Sequence, residues 1–260
     1  MNKRRLNLGR ILTSFNYIEK FFLDALFPIF CQSCQKEGSW LCKDCLEKIE
    51  YISFQVCPYC EKEITEKGQL CKRCKDSYYS RSEKPPISSL ALACEYESVS
   101  SFVHLFKYRF IEDFGQPLGE ILIKNLIAND ITIPDIIIPV PLHKRRLRWR
   151  GFNQSEILAN HIAENISPGI VIPVQTNMLI RKKYTRPQMK VKDYESRTSN
   201  LKNSFEINYK KIPDISGKNI LLVDDIVTTG ATIFECAKLL VANGAKKVSA
   251  AAIARQKTEQ

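Results

Sequence analysis

Two aspartates stand side by side in the run Leu221-Leu222-Val223-Asp224-Asp225-Ile226-Val227-Thr228-Thr229-Gly230-Ala231-Thr232. Ionised carboxylates accept hydrogen bonds and donate none, so an adjacent pair suits a vicinal diol or, through water, a hard cation. The hydroxyls of Thr228, Thr229 and Thr232 flank Gly230. With no Cβ, Gly230 lets the backbone come close to an anion. Five mostly apolar residues, 219–223, lead into the pair and read as a buried strand; residues 233–243 read as an amphipathic helix. A helix start carries about half a positive charge and several free N–H groups, which suits a phosphate. In an open α/β sheet, ligands bind at the carboxyl ends of strands. A receiver-like or Mg²⁺-binding aspartate pair would not need the Thr-Thr-Gly-Ala-Thr turn. No Gly-x-x-x-x-Gly-Lys-Ser/Thr or Gly-x-Gly-x-x-Gly run occurs, so a P-loop or Rossmann site is not supported.

The second chemistry-bearing pattern is four Cys-x-x-Cys pairs: Cys31/Cys34, Cys42/Cys45, Cys57/Cys60 and Cys71/Cys74. Two thiolates two residues apart on a turn point the same way, and two such pairs complete a tetrahedral zinc site. Eight thiolates allow two zincs with no open position, so the metal is expected to be structural. Sequential pairing, 31/34 with 42/45 and 57/60 with 71/74, closes the shorter loops. The cross-braced pairing, 31/34 with 57/60, stays open on spacing alone. Clustered redox thiols are the competing reading. So small a segment has too little core to fold unaided, and structural zinc contributes roughly 10–16 kcal/mol.

Basic residues gather around two further strand ends. Residues 136–140 read as a buried strand stopped by Pro139 and Pro141; Leu142-His143-Lys144-Arg145-Arg146-Leu147-Arg148-Trp149-Arg150 follows at once. Such a run is most often a solvated face. At a strand's carboxyl end it also suits a polyphosphate, and Trp149 and Phe152 among the bases suit a nucleobase or a single strand. Asn153 can cap a helix over residues 154–164. After an expected strand near residues 170–174, the stretch 181–192 holds Arg181, Lys182, Lys183, Arg186, Lys190 and Lys192, and no acid. Strands are also expected over residues 90–96 and 247–254, and helices over 99–110 and 114–128. Lys107 ends the first of these helices, where a cation complements the dipole. Cys94 and Cys236 read as core packing.

These elements divide the 260 residues into an amphipathic helix over 1–30, a zinc module over 31–76, a linker over 77–89 and an α/β domain over 90–260. The formal charge of +11 points to anionic partners. Residues 11–27 are apolar at helical spacing. Glu19, Lys20 and Asp24 interrupt them, so they fall short of the roughly 20 apolar residues of a membrane span.

The run 221–232 resembles the phosphoribosyl pyrophosphate motif of the type I phosphoribosyltransferases. The wider set is similar to the ComF (competence protein F) family. It comprises Leu26-Phe27-Pro28, the eight cysteines, Pro139-Val140-Pro141-Leu142, Arg150-Gly151-Phe152-Asn153-Gln154, the series Arg181, Thr185, Gln188, Arg197 and Asn200, and the acidic motif. The resemblance covers roughly residues 26–255. It departs at Phe110, where Gly is usual, and in the more basic stretch 189–193. It implies a type I phosphoribosyltransferase fold, a parallel twisted sheet flanked by helices, behind a small zinc module. It implies that Asp224 and Asp225 hold the ribose hydroxyls, that Thr228, Thr229, Gly230, Ala231 and Thr232 hold the 5-phosphate, and that Leu142, His143 and Lys144 form the pyrophosphate loop. Arg181, Thr185, Arg186 and Gln188 fall on its flexible loop, with Arg186 joining the aspartates in any catalysis. Structural Zn²⁺ and Mg²⁺ bound with phosphoribosyl pyrophosphate are the implied cofactors. A cytoplasmic role in natural transformation, with single-stranded DNA and the uptake machinery as partners, is the implied biology. Two functional classes follow: a phosphoribosyltransferase acting on an unidentified acceptor, or a phosphoribosyl pyrophosphate- or nucleotide-sensing module that binds single-stranded DNA.

Overall fold

The apolar run before the aspartates forms the centre of a parallel sheet in the computed structural model, which describes residues 28–108, 111–184, 203–209 and 214–256. This central strand, β5 (Asn219–Val227), is flanked by β2 (Ile136–Pro139) and β6 (Lys247–Arg255), with β1 (Ser89–Glu95) beyond β6. The order is β1-β6-β5-β2, every pair parallel. Buried on both faces, these strands are near-continuous in Val, Ile, Leu and Ala, as a doubly covered parallel sheet requires. Strand β5 runs four residues past the apolar run's expected end at residue 223, so both aspartates lie within it.

Helices supply the cover. On one face lie α2 (Tyr96–Tyr108), α3 (Gly115–Ala128) and α5 (Gln154–Asn165). Helices α3 and α5 touch through two glycines one turn apart. A Cβ on Gly115 would overlap Ile157, and one on Gly119 would overlap the His161 ring. On the other face, Ile233, Cys236, Ala237 and Leu240 of α6 (Ala231–Ala242) share a core with Ile220 and Leu222. The antiparallel pair β3 (Leu179–Arg181) and β4 (Phe205–Ile207) adds Leu179, Phe205 and Ile207 to that core.

The strand expected near residues 170–174 reduces to one bridge, Val174 with Ile137. Pro173 has no N–H to give a ladder, and Ile170 and Val171 are exposed. Asn153 takes the N-cap position of α5, but its side chain donates to the Val140 carbonyl (3.1 Å) rather than accepting from the helix.

The chain separates into two compact units, residues 1–48 and 49–260. That division falls inside the span 31–76 that spacing reads as one zinc module. The first unit holds Cys31, Cys34, Cys42 and Cys45. In the second, Cys57 and Cys74 are buried in the same core as Leu70, Tyr78 and Leu240. Residues 77–89 do not form a free spacer. The helix α1 (Lys72–Tyr79) enters them, and Ile87 is wholly buried. Residues 51–69 also close the outer edge of β1. The Gln55 amide bonds the Leu92 carbonyl (2.8 Å) and N–H (3.0 Å) as a neighbouring strand would, and Ile52 N–H reaches the Ala93 carbonyl (2.9 Å). An edge paired in this way is not left open to another chain. The helix expected over residues 1–30 lies outside the described residues up to residue 27. No helix among the described residues is long and apolar enough to cross a membrane.

Candidate functional site

Strand geometry turns Asp224 and Asp225 to opposite sides of β5, and each finds different partners. Ser155 at the start of α5 donates to Asp224 Oδ1 (3.0 Å), and the Asp225 N–H reaches the same oxygen (2.9 Å). Lys107 Nζ lies 3.0 Å from Asp225 Oδ1, with both side chains largely buried. Burial, reinforced by the neighbouring Asp225 charge, pushes the Asp224 carboxyl up to about 7; Lys107 and the Ser155 hydroxyl oppose that rise. Asp224 keeps partial exposure and Asp225 is 7 % exposed, so neither stands free on the surface.

The turn after β5 carries groups of the kind that suit an anion. Gly230 caps α6 with φ +73, a left-handed conformation that costs a Cβ-bearing residue. A side chain there would also crowd the Phe234 ring. The Thr229 hydroxyl accepts from the Ala231 N–H (3.4 Å). The first-turn N–H groups of α6 have no intrahelical partner by geometry and face the end of the sheet.

Basic side chains converge from three other elements. Arg146 lies on α4 (Lys144–Arg150), which His143 caps by accepting from the Arg145 N–H (3.2 Å). Burial, with the Arg150 charge close by, lowers Arg146 below its ordinary value, and Asp225 counters this. Arg181, on β3, is lowered for the same reason, with Arg146 adding and Asp224 opposing. Its guanidinium stacks over Phe205 at 5.3 Å. Arg181 therefore belongs to a strand facing the acidic pair and not to a free loop. Thr185, Arg186 and Gln188 lie outside the described residues. Lys144 is exposed at the helix start, and Leu142 and His143 are half-buried ahead of it. The His143 ring meets Tyr184 at 5.3 Å, and Arg145 stacks on that tyrosine at 5.0 Å.

The run Arg150-Gly151-Phe152-Asn153-Gln154-Ser155 acts as a brace. Arg150 is buried, donates to Gln154 Oε1 (2.8 Å) and stacks on Tyr108 (5.5 Å). Gln154 reaches the Phe106 carbonyl (3.4 Å), Asn153 the end of β2 and Ser155 the Asp224 carboxylate. One short segment thus ties α2, β2 and β5 together at the site.

The metal centres can be tested by their sulfur spacing. Zinc bound tetrahedrally at about 2.3 Å requires sulfurs about 3.8 Å apart. Cys34 and Cys42 stand 3.6 Å apart, and Cys60 and Cys71 3.9 Å. Each group of four, Cys31/Cys34/Cys42/Cys45 and Cys57/Cys60/Cys71/Cys74, has all its Sγ atoms within 4.8 Å of one another. The residues fit zinc, and the pairing is sequential; the cross-braced alternative is excluded. The two knuckles repeat one geometry. Gln35 N–H bonds the Cys31 carbonyl and Glu61 N–H the Cys57 carbonyl, each at 2.9 Å, with both fifth residues at positive φ.

Several contributors escaped the sequence. Ser155 directly follows the Arg-Gly-Phe-Asn-Gln run, and Lys107 reads locally as a helix-end cation. Arg146 is one of several bases in its run. Arg255 of β6, 8 % exposed, pairs with Glu61 beside the second knuckle and donates to the Thr228 carbonyl (3.4 Å). No local signal marks that link, because it joins a metal knuckle to the far end of the chain.

The model of the phosphoribosyl transferase domain matches residues 153–260, and that of the double zinc ribbon domain matches residues 22–75. The chain has a type I phosphoribosyltransferase fold preceded by a Cys-rich zinc module. The resemblance to the ComF family holds over most of its length. Competence protein F of Haemophilus influenzae is 29% identical over 222 residues, 83% of this chain and 90% of that protein. The DNA utilization protein YhgH of Escherichia coli K12 is 29% identical over 230 residues, 85% of this chain and 94% of its own. Competence protein ComFC of Bacillus subtilis is 25% identical over 225 residues, 80% of this chain and 81% of that protein. A purine phosphoribosyltransferase structure from Pyrococcus horikoshii overlays on 53% of this chain and 70% of its own, at 21% identity and a TM-score of 0.32. The fold follows from the domain match and the parallel strand order.

Proposed function

We propose that the chain binds phosphoribosyl pyrophosphate with Mg²⁺ at the end of β5 and serves DNA uptake in the cytoplasm of a competent cell. The observation that carries the reading is the continuity of Asp224-Asp225 with the Thr228–Thr232 turn, faced by Lys107, Arg146 and Arg181. The aspartates accept the ribose hydroxyls, and the α6 start and threonine hydroxyls take the 5-phosphate. Leu142, His143 and Lys144 would take the diphosphate. The carboxylates supply the oxygen donors that a hard cation prefers, and such a cation would neutralise the diphosphate as a leaving group. Lys107 neutralises Asp225. In turnover, an acceptor atom would bond to ribose C1 as the C1–O bond to diphosphate breaks. Basic groups beside the site would stabilise the charge developing on that oxygen. Arg186, with Thr185 and Gln188, is proposed to close over the ligand. The competence role is taken from the names of the relatives.

A second reading, a non-catalytic nucleotide-sensing and single-strand-binding module, is favoured by one observation. Trp149 is 57% exposed among Lys144, Arg145 and Arg148, an arrangement that suits base stacking beside phosphates. Calorimetry tests what the readings share. Asp224→Asn with Asp225→Asn should weaken phosphoribosyl pyrophosphate binding at least ~30-fold, about 2 kcal/mol, with zinc content unchanged. Undiminished affinity in that variant would remove the site. Pyrophosphate release in the presence of bases or amines separates the enzyme from the binding module.

A further inference from the structure

At the other end of the sheet the described chain holds a cavity of about 300 Å³ that the acidic site does not involve. Its walls carry Lys67, Lys75, Lys84, Lys246 and Lys247 against one carboxylate, Asp130. Lys67 takes up that carboxylate at 2.6 Å, and Lys84 donates to the Lys246 carbonyl at 2.9 Å. Lys75, Lys246 and Lys247 have no side-chain partner among the described residues. Like charges held around one concavity repel unless an anion joins them. Ser88 and Ser249 also line the hollow, their hydroxyls 3.0 Å apart and that of Ser88 donating to the Val248 carbonyl (3.0 Å). Tyr79 lines it and is 62% exposed.

Rigid elements build these walls. The starts of β1 and β6 form one side and α1 of the second zinc ribbon another. The turn carrying Lys67 is held by Gly68, where a Cβ would collide with the Leu90 carbonyl. Such elements already fix the lysine backbones, so only the side chains are ordered on binding. The volume lies at the low end of ligand pockets, enough for a phosphate and sugar with a base on the Tyr79 ring. The register separates this cavity from the acidic pair. Lys247 stands opposite Asn219, five residues before Asp224, about 17 Å along the strand.

We propose that this lysine-lined cavity is a second anion site that takes the phosphate of a nucleotide, either free or within a single strand. Phosphates neutralise the unpaired lysines and the base stacks on Tyr79. The site is independent of the ribose-phosphate site, so either can fail without the other.

The test uses the full chain loaded with zinc. Its two probes are 5′-fluorescein-(dT)₁₂, followed by anisotropy across a salt series, and ATP as a competitor. Lys75→Glu with Lys247→Glu should weaken oligonucleotide binding at least ~10-fold. It should also flatten the salt dependence by roughly 1.4 in log–log slope, two phosphate contacts on a single strand. The single change Lys247→Glu should weaken binding several-fold, whereas Lys124→Glu on α3, an equal charge reversal outside the cavity, should leave it within about twofold. Asp224→Asn with Asp225→Asn should bind the oligonucleotide as the wild type does. Displacement by ATP at micromolar concentration assigns the site to free nucleotides; tight oligonucleotide binding that ATP does not displace assigns it to a strand. The proposal is overturned if the wild type binds neither probe at 100 mM salt, or if the double lysine variant, with normal zinc content and melting temperature, binds both probes unchanged.

Discussion

Asp224 and Asp225 share a strand and little else. One accepts from Ser155 and lies near Arg181; the other is held by Lys107. The adjacent pair was legible because both acids fall in one short motif. Their partners were not, because Ser155 is 69 residues away in sequence and only folding brings it close. The Asp224 environment has a measurable consequence. A carboxyl raised on folding holds its proton more tightly in the native chain than in the unfolded one. Its contribution to stability is therefore present at low pH and is lost as pH rises from the ordinary carboxylate range to about 7. Asp224→Asn removes this loss. Relative to wild type, its melting temperature should gain about 2–4 °C between pH 5.5 and pH 8, equivalent to ~1 kcal/mol, and level off above pH 7.5. A difference that stays constant with pH would show that Asp224 is not held protonated. Because both proteins keep the same eight thiolates, zinc effects cancel in the difference.

At the scale of elements, the α3–α5 contact positions the site most directly. Ser155 and the Asn153 and Gln154 braces sit at the start of α5, and α5 is placed by its close approach to α3 at Gly115 and Gly119. Gly119→Ala would put a methyl group where the His161 ring lies. It should cost about 1–3 kcal/mol by overpacking, offset in part by alanine's better helix propensity. Thermal melts with a parallel zinc assay check this, and an unchanged or raised melting temperature would show that the helices can part freely. Most helices and strands were legible from apolar periodicity. The exception at residues 170–174 has a local cause, since a proline interrupts an exposed apolar run. The antiparallel β3–β4 pair was not legible as a pair, because its strands have only three residues each and lie far apart in sequence.

Across the whole molecule, the two zinc clusters are chemically alike and structurally unequal. Cys31 and its partners belong to a unit ending at Lys48, whereas Cys57 and Cys74 are built into the core beside α6. From the second knuckle, Glu61 reaches Arg255, which touches the carbonyl of Thr228 in the turn after β5. Cys57→Ser should therefore lower the melting temperature of the α/β unit by 5 °C or more and speed amide exchange in β6 and α6. Cys31→Ser should leave exchange in those elements unchanged. Hydrogen exchange by mass spectrometry reads both, and equal effects on β6 and α6 would contradict this asymmetry.

The sequence by itself determined the chemistry at hand: eight thiolates at zinc spacing, an acidic pair before a glycine-capped helix, and basic runs at strand ends. These are local patterns, in which the functional groups lie within a few residues of one another. Tertiary structure alone decided which cation neutralises which acid, which zinc ribbon joins the α/β core, and that five lysines gather at the opposite end of the sheet. Those relations depend on strand register and helix packing between distant segments, and free energies of that kind leave no periodic trace along the chain.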